Sequence, residues 1–244
     1  LLDEFLAHPP RGMHLVLLTR QDPSLPIATM RGRGLLTEIR ASDLRFTPDE
    51  AAAFMSRMLN VVVDETTAAL LETKTEGWAT GLRLAGLYLK GQKELKRSLE
   101  QLSGNSRYIA EYLFAEVLSR QHPEKVSYLL ETSVLNRFCA PLCHQMHLIG
   151  SHGHDEKPEV GPEQFIQWLA DNNLFVIALD NEGYWFRYHH LFHDFLKGEL
   201  YKQWTKDRIA GLHRLASRWF RRILTPGNRR VCRWFPRRFA LERH

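Results

Sequence analysis

The chain has 244 residues, 44% of them hydrophobic and 25% charged, which is too apolar for an intrinsically disordered protein and enough for one large core or several small ones. Its net charge of +5 is unevenly placed: from Lys206 onward twelve Lys or Arg face only Asp207 and Glu242, so residues 1–205 carry about −5 and attraction to nucleic acid has to come from the tail. No apolar run approaches the roughly 18 residues that span a bilayer, and the acidic start is unlike a secretion signal, so a cytoplasmic location is expected.

Residues 1–7 have room for one or two helical turns before Pro9 and Pro10 break them. His14-Leu15-Val16-Leu17-Leu18-Thr19 is a short continuous apolar run, the pattern of a strand buried on both faces of a parallel sheet, and a second strand is expected at 35–39. Two strands cannot make a stable sheet alone, so residues 1–42 read as the C-terminal remnant of an α/β core and the chain as a fragment of a longer protein. From residue 43 the pattern turns helical. Thr47, Pro48 and Glu50 supply a capping hydroxyl, a proline at the first helical position and a glutamate three residues after the threonine. That helix continues through 51–59, a second starts at Asp64 and ends at Gly77 and Trp78, and a third runs through Leu82, Leu84, Ala85 and Leu89. Residues 43–104 are expected to be a helical subdomain.

Between 106 and 120, Ile109, Tyr112, Leu113 and Val117 share one helical face, and Pro123 opens a further helix through Leu130. Residues 150–162 read as a surface loop. Phe165, Trp168 and Leu169 then line a helix, 174–179 reads as a strand, Asn181-Glu182-Gly183 as a turn and 184–188 as a second strand; helix followed by hairpin is a winged-helix pattern. A helix is expected at 189–200, and Ile209, Leu212, Ala216 and Trp219 line another. Residues 105–204 are thus expected to be a winged-helix subdomain, and 205–244 a helix with an aberrant basic tail. After Phe220 the sequence has no helical stripe, and 221–244 are expected to be poorly ordered, as a shifted reading frame would leave them. The fold class expected is mainly α with a small α/β remnant.

No glycine-rich turn ending in Gly-Lys-Ser or Gly-Lys-Thr occurs, nor a nucleophile elbow or a His-Glu-x-x-His zinc motif, so an autonomous enzyme has little support. The three cysteines, Cys139, Cys143 and Cys232, suggest no disulfide framework. Cys139, Cys143, His144, His147, His152 and His154 gather soft ligands within sixteen residues but lack the two-residue knuckle and matched second pair of a structural zinc site, so no metal is expected. Arg20 stands just past the expected strand 14–19, where open α/β sheets bind ligands and a guanidinium fork suits a terminal phosphate; a helix cap or surface ion pair is the other reading. His189, at a helix start, can donate to an anion with the helix dipole in support; a His189-His190 pair packed in a domain interface is the alternative. The helix at 162–173 carries Glu163 and Asp171 and no Lys or Arg, so this winged helix reads as an intramolecular regulatory lid and not a DNA reader.

The stretches Leu17-Leu18-Thr19-Arg20-Gln21-Asp22-Pro23, Leu35-Leu36-Thr37-Glu38-Ile39-Arg40, Asp43-Leu44-Arg45-Phe46-Thr47, Glu76-Gly77-Trp78-Ala79-Thr80-Gly81-Leu82, Ser103-Gly104-Asn105-Ser106-Arg107-Tyr108 and Phe186-Arg187-Tyr188-His189-His190-Leu191-Phe192 occur in this order. Together they resemble the MalT-like regulators, large LuxR-type transcriptional activators built on a STAND-class nucleotide-binding module, from about residue 1 to about 220. The resemblance implies part of a P-loop NTPase core followed by helical and winged-helix subdomains. It implies that Arg20 is the sensor arginine reading the terminal phosphate, that Trp78 and Ala79 lie in the segment against the adenine end, and that His189 contacts the inner phosphates of ADP and locks the resting state. Many relatives carry a proline near Ala79, a departure in this chain, and eukaryotic relatives an aspartate at the place of His190. ATP or ADP is the implied cofactor of a full-length relative. This chain, without P-loop amides and lysine, is expected to bind nucleotide more weakly than millimolar and to turn none over. The implied partners are the missing NTPase half, C-terminal repeat and DNA-binding domains, and further copies through self-association, with DNA reached only indirectly and no membrane. A nucleic-acid-binding module using the Arg-rich tail and a zinc protein are the rival readings.

Overall fold

The computed structural model describes residues 6, 12, 14–19, 22–150, 161–172 and 174–224, with the backbone alone at 148–150, 162, 223 and 224. In chain order it runs α1 (Ile27–Gly32), α2 (Pro48–Leu59), α3 (Glu65–Thr75), α4 (Ala79–Leu89), α5 (Leu95–Glu100), α6 (Arg107–Glu116), a 3-10 turn (Leu118–Arg120), α7 (Pro123–Thr132), α8 (Ala140–Gly150) and α9 (Pro162–Asp171). The antiparallel pair β1 (Val176–Ala178) and β2 (Phe186–Tyr188), α10 (His190–Gln203) and α11 (Lys206–Leu224) follow. The protein is mainly α, as the sequence indicates.

Helix starts with strong side-chain signals fold as written. Thr47 Oγ1 accepts from the Glu50 amide at 3.3 Å while the Glu50 carboxylate accepts from the Thr47 amide at 2.9 Å, closing a capping box on α2. Asp64 caps α3 through the Thr67 amide at 2.6 Å. Where the signal is weak the elements differ from expectation. Short α1 and α5 lie in segments with no marked periodicity, and the helix expected through 106–120 ends at Glu116 before the 3-10 turn. Regular helix in α11 reaches Leu224, four residues beyond the point where the apolar stripe fades, which corrects the expectation of disorder at its start.

The strands expected at 14–19 and 35–39 are not formed. Leu18 is 95% exposed and Ile39 69% exposed. A strand buried on both faces needs ladder partners and cover, and the one sheet among the described residues is β1 with β2, which offers these runs neither. Charge organises this region instead: Arg40 pairs with Asp22 at 2.5 Å and with Glu38, and Arg31 reaches Glu38 at 2.7 Å. Apart from Leu6, the helical start expected at 1–7 lies outside the described residues, as do Arg20, His152, His154, Cys232 and the tail from 225.

The hairpin is shorter than the sequence suggests. Phe175 takes a left-handed conformation (φ +52°) and ends the run before β1; at the turn, the Asp180 carboxylate accepts from the amides of Tyr184 and Trp185, each at 2.8 Å. Val176 pairs with Tyr188 and Ala178 with Phe186, and Phe138 adds a single bridge to Phe186.

One continuous core joins the helical array to the winged helix. α2 packs on α3 and α4; α7, α9 and α11 all pack on α8; α10 touches α3, α6 and α7, so it is the element shared between the two halves. Inside the winged-helix half, the fully buried Glu131 meets His147 Nδ1 at 2.7 Å, and the Tyr128 ring stacks between His147 (3.8 Å) and Phe165 (4.6 Å). Cys139 and Cys143 are packed in this core; burial pushes the Cys139 thiol up to about 11 and the Cys143 thiol well above its ordinary range, the opposite of what a metal-binding thiolate needs. Among the described residues no group of three or more His, Cys, Asp or Glu is placed to hold a metal ion.

Candidate functional site

The amino end of α10 meets the carboxyl end of α3 in a junction built from two distant pieces of chain. α3 closes with Glu76 and Gly77 both left-handed (φ +47° and +69°), and a Cβ on Gly77 would lie 2.6 Å from the Phe46 carbonyl oxygen, so this position requires glycine. The turn leaves the Thr75 carbonyl pointing across the boundary and delivers Trp78 to the start of α4. Trp78 packs edge-on against Phe175 (4.9 Å) and His189 (5.8 Å) and lies beside Tyr112 (5.8 Å). Ala79 is exposed as the first residue of α4.

His189 is 4% exposed and is the N-cap of α10. Its Nε2–H donates to the Thr75 carbonyl at 2.8 Å, and its Nδ1 accepts from the Leu191 amide at 3.2 Å. A neutral ring with its proton on Nε2 satisfies both, and burial lowers the pKa against the pull of Glu76 and the Thr75 carbonyl. Both ring nitrogens are therefore spent on internal partners. The His190 ring is largely exposed, while its amide donates to Glu76 at 3.0 Å.

Glu76 and Arg187 are the residues that sequence reasoning missed. The Arg187 guanidinium donates both of its terminal nitrogens to the Glu76 carboxylate, each at 2.9 Å, in a fork that suits a planar anion. Burial alone would raise the Glu76 pKa, but the Arg187 and His190 hydrogen bonds outweigh it together and hold the group down at about 2. A carboxylate thus sits at the amino end of a 14-residue helix, where the helix dipole favours negative charge. Both residues stand inside motifs visible in the sequence, yet they are 111 positions apart and no local pattern pairs them.

The junction is fixed further along α10. Gly104 lies so close to this helix that a Cβ there would fall 2.6 Å from the Phe195 amide nitrogen, and the Asn105 carboxamide donates to the Asp194 carbonyl at 2.9 Å. Of the sequence-derived site residues, Trp78 and His189 are brought together, Ala79 follows Trp78 on the exposed start of α4, and Arg20 lies outside the described residues. An open depression of about 640 Å³ borders Asp22, Glu163, Gln164, Gln167, Trp168, Asp171 and Asn172. It includes none of Trp78, Ala79 or His189, and its carboxylates would repel phosphate.

Helix α9, the β1–β2 hairpin and α10 together make a winged helix seated on a helical array. Residues 114–208 match the family model of the MalT winged helix domain. Over most of its length the chain is MalT-like. It is 32% identical over 216 residues to the HTH-type transcriptional regulator MalT of Serratia proteamaculans and 31% identical over 216 residues to that of Klebsiella pneumoniae, in each case 87% of this chain and 23% of the relative. A serine/threonine-protein kinase, PknK of Mycobacterium tuberculosis, is 33% identical over 208 residues, 85% of this chain and 18% of the kinase. The chain thus spans less than a quarter of the length of these relatives. Among the described residues no helix is long and apolar enough to cross a membrane.

Proposed function

We propose that this chain is the sensing and locking part of an ATP- or ADP-responsive, LuxR-type regulator with a STAND nucleotide module. In this reading the winged helix is an intramolecular lid, His189 is its phosphate-facing residue, and Trp78 with Ala79 borders the base. On binding nucleotide, the His189 ring exchanges the Thr75 carbonyl for an inner phosphate and keeps its cap on α10. Arg20 reads the terminal phosphate. The observation that carries the reading is the meeting of His189 and Trp78 at 5.8 Å across the boundary between the helical array and the MalT-type winged helix. That a similar stretch occurs in proteins named a kinase and a transcriptional regulator supports a control module in place of an output domain.

The chain itself is not a catalyst in this reading and holds no nucleotide tightly, because it contains no phosphate-cradling loop with its lysine. In a whole regulator, nucleotide and an inducer open the module, copies associate, and a helix-turn-helix domain acts on DNA. The test is side-chain NMR of the chain titrated with ADP. Millimolar ADP shifts the His189 and Trp78 signals more than adenosine does; ADP that leaves His189 unmoved removes the assignment. Micromolar affinity for ATP in calorimetry would overturn the weak-binding expectation. A second reading is favoured by the exposed Lys206, Arg214, Arg218 and Arg222 on α11: a nucleic-acid contact whose gel-shift affinity falls steeply with salt.

A further inference from the structure

We propose that Glu76 is a built-in latch: its carboxylate occupies the anion seat formed by Arg187 and the His190 amide at the start of α10, and so holds the helical array against the winged helix with no ligand present. The inference rests on reading this junction as a switch, but it concerns how the closed form is held when no nucleotide is there.

Three features of the geometry converge. First, Glu76 belongs to the helical array and Arg187, His189 and His190 to the winged helix, so the contacts of Glu76 with Arg187 and the His190 amide cross the boundary. Second, Glu76 sits in a left-handed conformation uncommon for a residue with a side chain, which turns its carboxylate off the axis of α3 and toward α10. Third, the pair is shielded without being sealed: the Glu76 side chain is 9% exposed and that of Arg187 27%. A bidentate pair with that much shelter is stronger than a surface ion pair, yet one side stays reachable by water. Breaking it leaves Arg187 and the His190 amide without their anion, so separation of the halves at this end is coupled to the removal of one charge.

The second attachment, Gly104 and Asn105 against the middle of α10, makes the location of the latch decisive. Asn105 bonds to the Asp194 carbonyl and packs on Gly198, and neither contact involves Glu76. Loss of the latch therefore frees the amino end of α10 and the α3–α4 turn while the middle of α10 stays docked.

Amide hydrogen exchange on the ligand-free chain tests this. Glu76→Gln, which keeps the shape and removes the charge, is expected to speed exchange about tenfold at Trp78, His190 and Leu191 and to leave Leu129 and Leu196 in the core within about twofold. Arg187→Gln produces the same local pattern, and the double variant adds little to either single one. Arg187→Lys, which keeps the charge and loses the fork, gives an intermediate rate and serves if a neutral variant fails to fold. Unchanged exchange at His190 and Leu191, equal acceleration everywhere, or independent effects that multiply in the double variant would each overturn the latch. Because no nucleotide enters the experiment, these outcomes leave the ADP titration of His189 untouched, and failure of that titration leaves the latch standing.

Discussion

Replacing Gly104 by alanine sets two physical effects of opposite sign against each other. Its φ lies outside the left-handed region, so alanine is allowed by the local backbone, and loss of unfolded-chain entropy alone would stabilise the protein by about 0.4–1 kcal/mol. The folded state says otherwise. A methyl at this position would overlap the Leu191 carbonyl oxygen and lie 2.6 Å from the Phe195 amide nitrogen, both backbone atoms of α10 that cannot rotate aside. Overpacking typically costs about 1–3 kcal/mol, and an obstruction made of helix backbone puts this site at the upper end, about 3 kcal/mol. For a protein of this size the urea slope is about 2–3 kcal/mol/M, so the midpoint should fall by about 1 M with the slope unchanged. Two substitutions calibrate the result. Gly198→Ala meets the Asn105 carboxamide, the movable end of a side chain, and should cost about 1 kcal/mol; Gly32→Ala meets nothing and should be neutral or mildly stabilising. If Gly104→Ala unfolds at the same urea concentration as the parent or a higher one, the close docking of residues 103–106 on α10 is wrong.

The Glu76 carboxyl is lowered from 4.5 to about 2, which corresponds to about 3 kcal/mol at neutral pH and to about 2 after screening by the solvent that reaches the pair. As a depressed acid, it contributes fully above pH 4.5 and loses that contribution as the pH falls through about 2, so the melting-temperature gap between the parent and Glu76→Gln should narrow over that acid range. His189 and His193 are both lowered from 6.5 by burial, so the unfolded chain binds more protons below that value and stability should decline as the pH drops through it. Thermal melts of His189→Gln should show a shallower decline, and an identical slope would refute a buried neutral ring. Leu18→Asp should change urea stability by no more than about 0.5 kcal/mol, since the residue is 95% exposed; a loss of several kcal/mol would restore the buried strand.

What was legible in the sequence is what short-range chemistry decides. Thr47, Pro48 and Glu50 announce α2 because all the atoms of a capping box lie within four residues. The hairpin is announced by the apolar runs around Asn181-Glu182-Gly183, although Phe175 and the Asp180 turn trim it to three residues per strand. The run at 14–19 misled because hydrophobicity states a demand for burial and not its fulfilment. At the site, His189 and Trp78 could be picked out singly by chemistry and by family resemblance. The Glu76–Arg187 pair could not, because each residue viewed locally is an ordinary surface charge; their relation exists only once α10 is laid across the end of α3.

The same placement explains why Ser103-Gly104-Asn105-Ser106 belongs with the histidine motif. Gly104 lets the chain pass against α10, Asn105 fixes it to the Asp194 carbonyl, and five residues before Asp194 the same helix is capped by His189, bonded to Thr75. A stretch that has to transmit a state between two halves needs a rigid element touching both, and α10 touches α3, α6 and α7. The stretches 76–82 and 103–108 therefore mark the two attachment points of one helix. The relatives named as a kinase and as transcriptional regulators differ in their outputs, yet each contains a stretch alignable with this joint, as expected if what is reused is the coupling and not the reaction it controls.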